Sequence, residues 1–203
     1  MPLYAEKPKS DIPPVEAGPK YGICVGIIDL GTQYSKTYNK ESHQVMFIFE
    51  LPKDKIITEQ GSLIRTLVKQ YGTLSIGGNM PSNLSKDLCS WRKKQFTDAE
   101  LEGQYNLFEQ LGKSCQLDVI VNKNGRNRIN SVSALMDGME EVQPESDFIQ
   151  YSMADNGWEI PANTPDWIVD IITKSKEFQS AEAKQALKDR EAKGREPDND
   201  CPI

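Results

Sequence analysis

Histidine is all but absent: His43 is the only one in a chain of 203 residues. That excludes a histidine-rich metal site, and a Ser-His-Asp or Cys-His arrangement would have to be built on this one side chain. It follows Asn39-Lys40-Glu41-Ser42, with no nucleophile motif beside it, and reads as a solvated loop histidine. Cysteine is scarce as well. Cys24, Cys89, Cys115 and Cys201 lie far apart, so no C-x-x-C pair exists for a zinc ribbon or a thioredoxin-like site. No apolar run approaches the ~18–20 residues of a membrane helix. The opening Met1-Pro2-Leu3-Tyr4-Ala5-Glu6-Lys7-Pro8 has no apolar stretch for a signal peptide. The expectation is a cytoplasmic protein with no membrane partner.

Walker A, Rossmann and nucleophile-elbow glycine patterns are missing too, and no internal repeat is found. Asp29 and Glu50 are the carboxylates that could pair on magnesium if they met. On strands they read instead as turn caps or solvent-facing groups. The sequence therefore points away from an enzyme and calls for no cofactor and no metal.

What is present is an ordinary globular composition, 37% hydrophobic and 27% charged, with a net charge of −6 that is unevenly spread. Residues 20–135 carry 15 basic and 11 acidic side chains, whereas residues 136–203 carry 7 and 16. A mildly basic middle with an acidic C-terminal third suits a nucleic-acid-binding core with a solvated tail.

Residues 1–20 hold five prolines and read as a flexible or extended arm. Tyr21 to Gly31 reads as a strand, with Gly22 and Gly26 on one face marking a bulge or close backbone approach. After a polar loop, Gln44 to Pro52 reads as a second strand ended by proline. Residues 53–62 form a charged connection, and Thr66 to Ile76 reads as a third strand. At Ser82, a predicted N-cap, the period changes: Leu84, Leu88 and Trp91 make a helical stripe. Thr97-Asp98-Ala99-Glu100 matches a capping box for a second, short helix. Cys115 to Val121 and Arg128 to Leu135 read as strands four and five, joined by the Asn-Gly hairpin Asn122–Arg126. Residues 136–163 read as an acidic linker. Thr164 is the predicted N-cap of a helix over 164–193, with Trp167, Ile168, Ile171, Ile172, Ser175 and Phe178 as its apolar stripe. Residues 194–203 read as a disordered acidic tip.

Three strands, a helical connection and a closing hairpin is the order of the OB-fold, a five-stranded barrel. The fold class expected is mainly β with α: an OB-fold-like barrel over residues 21–135, with its helical insertion between strands three and four, a C-terminal helix and an acidic tail. Ligand would then meet the curved sheet of strands two and three, the loop between strands one and two, and the loop between strands four and five. The first loop supplies Tyr34, Lys36, Tyr38 and Lys40, and the second supplies Lys123, Arg126 and Arg128. Lys69 and Tyr71 on strand three extend the track. Arg92, Lys93 and Lys94 end the first helix. Cations of this kind neutralise phosphates, and exposed rings stack on unpaired bases at about 1–3 kcal/mol each.

The stretches Val25 to Gln33, Phe49-Glu50-Leu51-Pro52, Leu84 to Arg92, Phe96 to Leu101 and Leu111-Gly112-Lys113-Ser114-Cys115 resemble a widespread family of bacteriophage proteins. These occur among replication and recombination genes and are described as single-stranded-DNA-binding. The resemblance spans residues 20–135. It implies a non-enzymatic single-stranded-DNA-binding protein in the cytoplasm of a host cell. Where the family tends to carry Gly-Arg-Pro after Trp-Arg, this chain has Lys93-Lys94-Gln95. The C-terminus, Asp198-Asn199-Asp200-Cys201-Pro202-Ile203, is similar to the tips of bacterial single-stranded-DNA-binding proteins. That similarity implies docking on replication and recombination partners through Asp198, Asp200, Pro202 and Ile203. The alternative is an adaptor or an inhibitor of a host enzyme that binds no DNA. The apolar stripe over 164–178 must be buried on the barrel or on another subunit, and sequence leaves a homo-oligomer open.

Overall fold

The computed structural model describes residues 13–36, 39–58, 61–103, 105–180, 184–185 and 188–189. Its centre is a mainly antiparallel six-stranded sheet with a few short helices. The strands are β1 (Gly18–Ser35), β2 (Lys40–Thr58), β3 (Gly61–Tyr71), β4 (Ser114–Val121), β5 (Asn127–Ser133) and β6 (Ile149–Tyr151). The helices are α1 (Asn83–Arg92), α2 (Asp98–Gly103), α3 (Met153–Asn156) and α4 (Asp166–Thr173). The strand order is β3-β2-β1-β4-β5, with β6 added parallel to β1. β3 and β5 are the two ends of this path and form no ladder with each other among the described residues. They are nonetheless neighbours: the Lys69 ammonium donates to the Asn130 carbonyl at 2.6 Å.

β1 organises the sheet because it uses both of its edges. It pairs with β2 along most of its length, while its other edge meets β4 only from Gly18 to Ile23. Gly112 N to Cys24 O at 2.8 Å ends that contact. Beyond it the freed edge would leave backbone groups unsatisfied, and β6 takes them up through Gly26↔Ile149 and Ile28↔Tyr151. The strands approach closely where the sequence placed glycine. A Cβ on Gly22 would lie 2.6 Å from Leu117 Cδ1, and one on Gly26 2.9 Å from Ile48 Cδ1.

Both faces of β1 and β2 are buried. On the inner face Cys24, Ile27, Val45, Phe47, Phe49 and Leu51 pack with Leu84, Leu88 and Trp91 of α1 and with Leu117, Val119, Ile129 and Val132. On the outer face Ile23, Val25, Ile28, Leu30, Met46 and Ile48 are covered by Ile149, Tyr151, Ile160, Ile168, Val169, Ile172 and Phe178. Each such side chain is worth roughly 1.5–3 kcal/mol on burial, so both covers are held firmly.

Several local expectations hold. Ser82 caps α1, its hydroxyl accepting from Ser85 N at 3.1 Å. The capping box closes through Thr97 N to Glu100 Oε2 at 2.9 Å and Glu100 N to Thr97 Oγ1 at 3.3 Å. Others differ. Pro52 does not end β2, because a register shift between Leu51 and Ile56 accommodates it and the hairpin continues to Thr58. β1 runs through the expected loop to Ser35, and β3 stops at Tyr71 before Gly72. Residues 136–163, read as a linker, contain β6 and the buried Ile160. Pro165 takes the cap position of α4, while Thr164 is buried. α4 ends at Thr173, well short of 193, because the chain turns back so that Phe178 reaches the outer face. Of the arm, Val15 is buried and exchanges hydrogen bonds with the Asn127 amide at 2.8 and 2.7 Å.

Candidate nucleic-acid interface

A groove of about 590 Å3 runs along the neighbouring edges of β3 and β5. Val68 to Thr73 forms one wall, Arg128 to Asn130 the other, and Pro81 to Leu84, at the start of α1, closes one end. Two of its lining residues, Lys69 and Tyr71, belong to a polar knot. Asp87 of α1 pairs with Lys69 at 2.7 Å, accepts from the Tyr71 hydroxyl at 2.7 Å and from Val132 N at 3.3 Å. Burial, reinforced by Asp87, pushes the Tyr71 phenol far above its ordinary range. The knot ties β3, α1 and β5 together.

This corrects two expectations. Tyr71 is 4% exposed, its ring edge-on to Phe47 at 5.4 Å, so it offers no face to a base. Lys69 is committed to Asp87 and Asn130. Both lie on the inner side of β3, because Lys69 and Tyr71 pair with Phe47 and Val45 in register.

Three cations border the groove or lead into it: Arg128 in its wall, and Lys123 and Arg126 on the β4–β5 hairpin. All three are exposed and none forms an ion pair among the described residues. The hairpin is rigidified by Asn122, whose side-chain oxygen accepts from Asn124 N at 2.9 Å and Arg126 N at 3.0 Å.

The β1–β2 connection extends as a two-stranded ribbon. Tyr34 is 57% exposed on it, and Lys36 and Lys40 are exposed without ion-pair partners among the described residues. Tyr38 lies outside the described residues. Acidic groups share the ribbon: Glu41 is paired with Lys176 at 2.7 Å, and Asp29 with His43 at 2.6 Å. His43 is thus on β2 and bound, not the solvated loop residue expected.

Arg92 is a structural residue and a further correction. Its side chain is 6% exposed, paired with Glu100, and its guanidinium lies over both the Phe96 and Tyr105 rings, at 4.6 and 4.4 Å. Lys93 and Lys94 are exposed, with Lys93 paired to Asp137 at 2.6 Å and Lys94 3.5 Å from Glu100. They rim a second concavity of about 480 Å3, to which Lys113, a cation sequence reasoning passed over, also contributes. Trp91 packs in the core, as its place on the stripe implies, donating to Ser114 O at 2.8 Å.

The largest correction concerns the sheet itself. The outer face of β1 and β2 is occupied by residues 149–178, and Val68 of β3 packs against the same cluster. That face cannot receive a ligand while the cover is in place. A signal for this was present: Ile23-Cys24-Val25 and Ile27-Ile28 are apolar in succession, as befits a strand buried on both faces.

Asp29 and Glu50 do not meet on a metal. Glu50 is fully buried and accepts from Glu145 N at 3.0 Å and Ser146 N at 2.8 Å. Among the described residues no group of three His, Cys, Asp or Glu side chains could hold a metal ion. Burial pushes the thiols of Cys24 and Cys115 well above their ordinary range, so neither is an available nucleophile. No described helix is long and apolar enough to cross a membrane. Asp198, Asp200, Pro202 and Ile203 lie outside the described residues. No protein-family model matches the chain, and no curated protein matches it.

Proposed function

We propose that this chain is a non-enzymatic single-stranded-DNA-binding protein acting in replication or recombination. Its strand path is read as an OB-like barrel whose seam lies between β3 and β5. The order β3-β2-β1-β4-β5, with α1 packed beneath the seam, supports that reading. The observation that carries it is the seam groove bordered by Arg128, beside a hairpin bearing Lys123 and Arg126, all exposed and without ion pairs among the described residues. Lys36, Lys40 and the Tyr34 ring extend the same chemistry along the ribbon. Cations on a rigid hairpin engage phosphates, and a ring exposed to solvent stacks on a base of any identity. The acidic tip is read as the contact with partner proteins.

Fluorescence anisotropy of a labelled oligo-dT across a salt series tests this. Affinity should fall steeply with salt, and Lys123→Ala/Arg126→Ala/Arg128→Ala should lower the slope of log K against log salt by about 2 units, at about 0.7 per lost phosphate contact. No binding at low salt would refute the proposal.

A second reading, an adaptor that binds protein alone, is favoured by one feature. The outer part of the β2–β3 hairpin exposes Ile57 (89%) and Leu63 (44%). Ile57→Ser would abolish partner capture under that reading and leave oligo-dT binding intact under the first.

A further inference from the structure

The cover on the outer face is fastened to the β1–β2 ribbon at one dense cluster. Asp29 of β1 receives three hydrogen bonds: His43 Nε2 at 2.6 Å and Gly31 N at 2.8 Å on one oxygen, and Met153 N at 3.2 Å on the other. Three residues along β1, Thr32 is gripped from the far end of the cover. Its amide and hydroxyl donate to Glu177 at 2.8 and 2.6 Å, and its carbonyl accepts from Lys176 N at 3.0 Å. Gln33 donates to Ile171 O at 2.9 Å. Between these anchors β1 has a register shift, and Gly31 sits there at φ 67°. A Cβ on Gly31 would lie 2.7 Å from both Met153 Cε and Ser175 Cβ, and 2.8 Å from Glu177 Oε2. The strand is shaped to admit the cover.

We propose that residues 153–177 form a clasp on this ribbon, and that a proton on His43 keeps it shut. The imidazole bonds Asp29 of β1, which holds the Met153 amide, and its charge also acts on Glu177 in the turn after α4, which holds Thr32. The ion pair of Lys176 with Glu41 of β2, at 2.7 Å, also joins the clasp to the ribbon and does not pass through His43. α3 contributes the Met153 amide rather than a charge. With the proton on, one cation serves both carboxylates. With it off, the two carboxylates lose that shared cation and the clasp is loosened at both ends.

The titration direction agrees. The hydrogen bond from Asp29 raises His43 above its ordinary value, against burial, and the charges of Asp29 and Glu177 act in the same sense. Stability from this pair is therefore complete below the ordinary histidine range and is lost as pH rises through the elevated value. His43 is the only histidine in the chain, so no other imidazole titrates in that window.

Amide hydrogen exchange between pH 5.5 and 9, corrected for intrinsic rates, tests the clasp, with an NMR titration of the His43 ring beside it. The amides of Thr32, Met153 and Lys176 should lose protection as pH rises through the ring's titration, about tenfold per unit of pKa elevation. Those of Phe49 and Leu117 should stay protected throughout. In His43→Gln the clasp amides should be equally open at every pH, with no step. The proposal is overturned by flat protection in the wild type, by a step that survives in His43→Gln, or by a ring that titrates at or below the ordinary value. None of these readouts involves nucleic acid.

Discussion

The two faces of the β1–β2 sheet are buried by different means. The inner face is aromatic: Phe47 stacks on Phe49 at 6.2 Å, meets Tyr71 edge-on, and Trp91 lies 5.8 Å from Phe49. Its cover, α1, follows β3 by a short connection. The outer face is aliphatic, and its cover comes from more than 100 residues further along the chain, between Ile149 and Phe178. Each cover is located by carboxylates. Asp87 gathers β3 and β5 onto α1, whereas Glu50 and Asp29 hold the incoming backbone of the outer segment and Glu177 of that segment holds the Thr32 amide of β1. Apolar area supplies the bulk of the stabilisation and says little about position, while hydrogen-bonded carboxylates set the register. Both layers are extensively buried, but the inner one is built from elements close in the chain, whereas the position of the outer one is set by these few long-range hydrogen bonds.

The sharpest way to break this comparison is to weaken each layer separately. Phe49→Ala should cost about 3–5 kcal/mol and lower the denaturation midpoint of the whole protein. Ile172→Ala should cost about 2 kcal/mol, the low end for an aliphatic truncation, and raise exchange mainly in residues 149–178. Equal loosening of both layers by either variant would show one cooperative unit instead of two. Glu50→Gln replaces a charged acceptor of the Glu145 and Ser146 amides by a neutral one and should cost about 1–2 kcal/mol, read in urea unfolding.

Acid should act on the outer layer first. Burial works to raise Asp29, but the His43 hydrogen bond and the Gly31 amide outweigh it and hold the carboxyl below the usual range. Burial likewise opposes, and the Thr32 bonds overcome, a shift that leaves Glu177 lowered. Their contribution is present above the ordinary carboxylate range and is lost as pH falls through the depressed values. Exchange at Thr32 and Met153 should accordingly rise on acidification before that at Leu117. The smallest effect on stability is expected for Lys123→Ala, Arg126→Ala and Arg128→Ala, each within about 0.5 kcal/mol by thermal melting, although together they are the changes aimed at DNA affinity.

Much of the fold was legible because local chemistry declares itself. The Ser82 cap, the Thr97–Glu100 box, the Asn-Gly hairpin and the i, i+4, i+7 stripe of α1 are all short-range features with strong residue preferences. The candidate site was less so. Composition could place Lys69 and Tyr71 on one face of β3, but not say that this face points inward at Asp87. Nor could it say that Arg92 is enclosed by Phe96, Tyr105 and Glu100. A lysine reads the same in a sequence whether its partner is water or a carboxylate brought from another element.

Alternation, turn chemistry and capping, all written within about ten neighbouring residues, determined the centres of β1 to β5 and the starts of α1 and α2, but not β6, α3, the extension of β2 past Pro52 or the end of α4. Which residues cover the second side, which cations remain free, and what His43 touches were decided by tertiary structure alone. The reason is physical: burial is non-directional and any apolar segment could satisfy it, so the choice fell to hydrogen bonds between residues more than 100 positions apart, such as Thr32 with Glu177 and Asp29 with Met153.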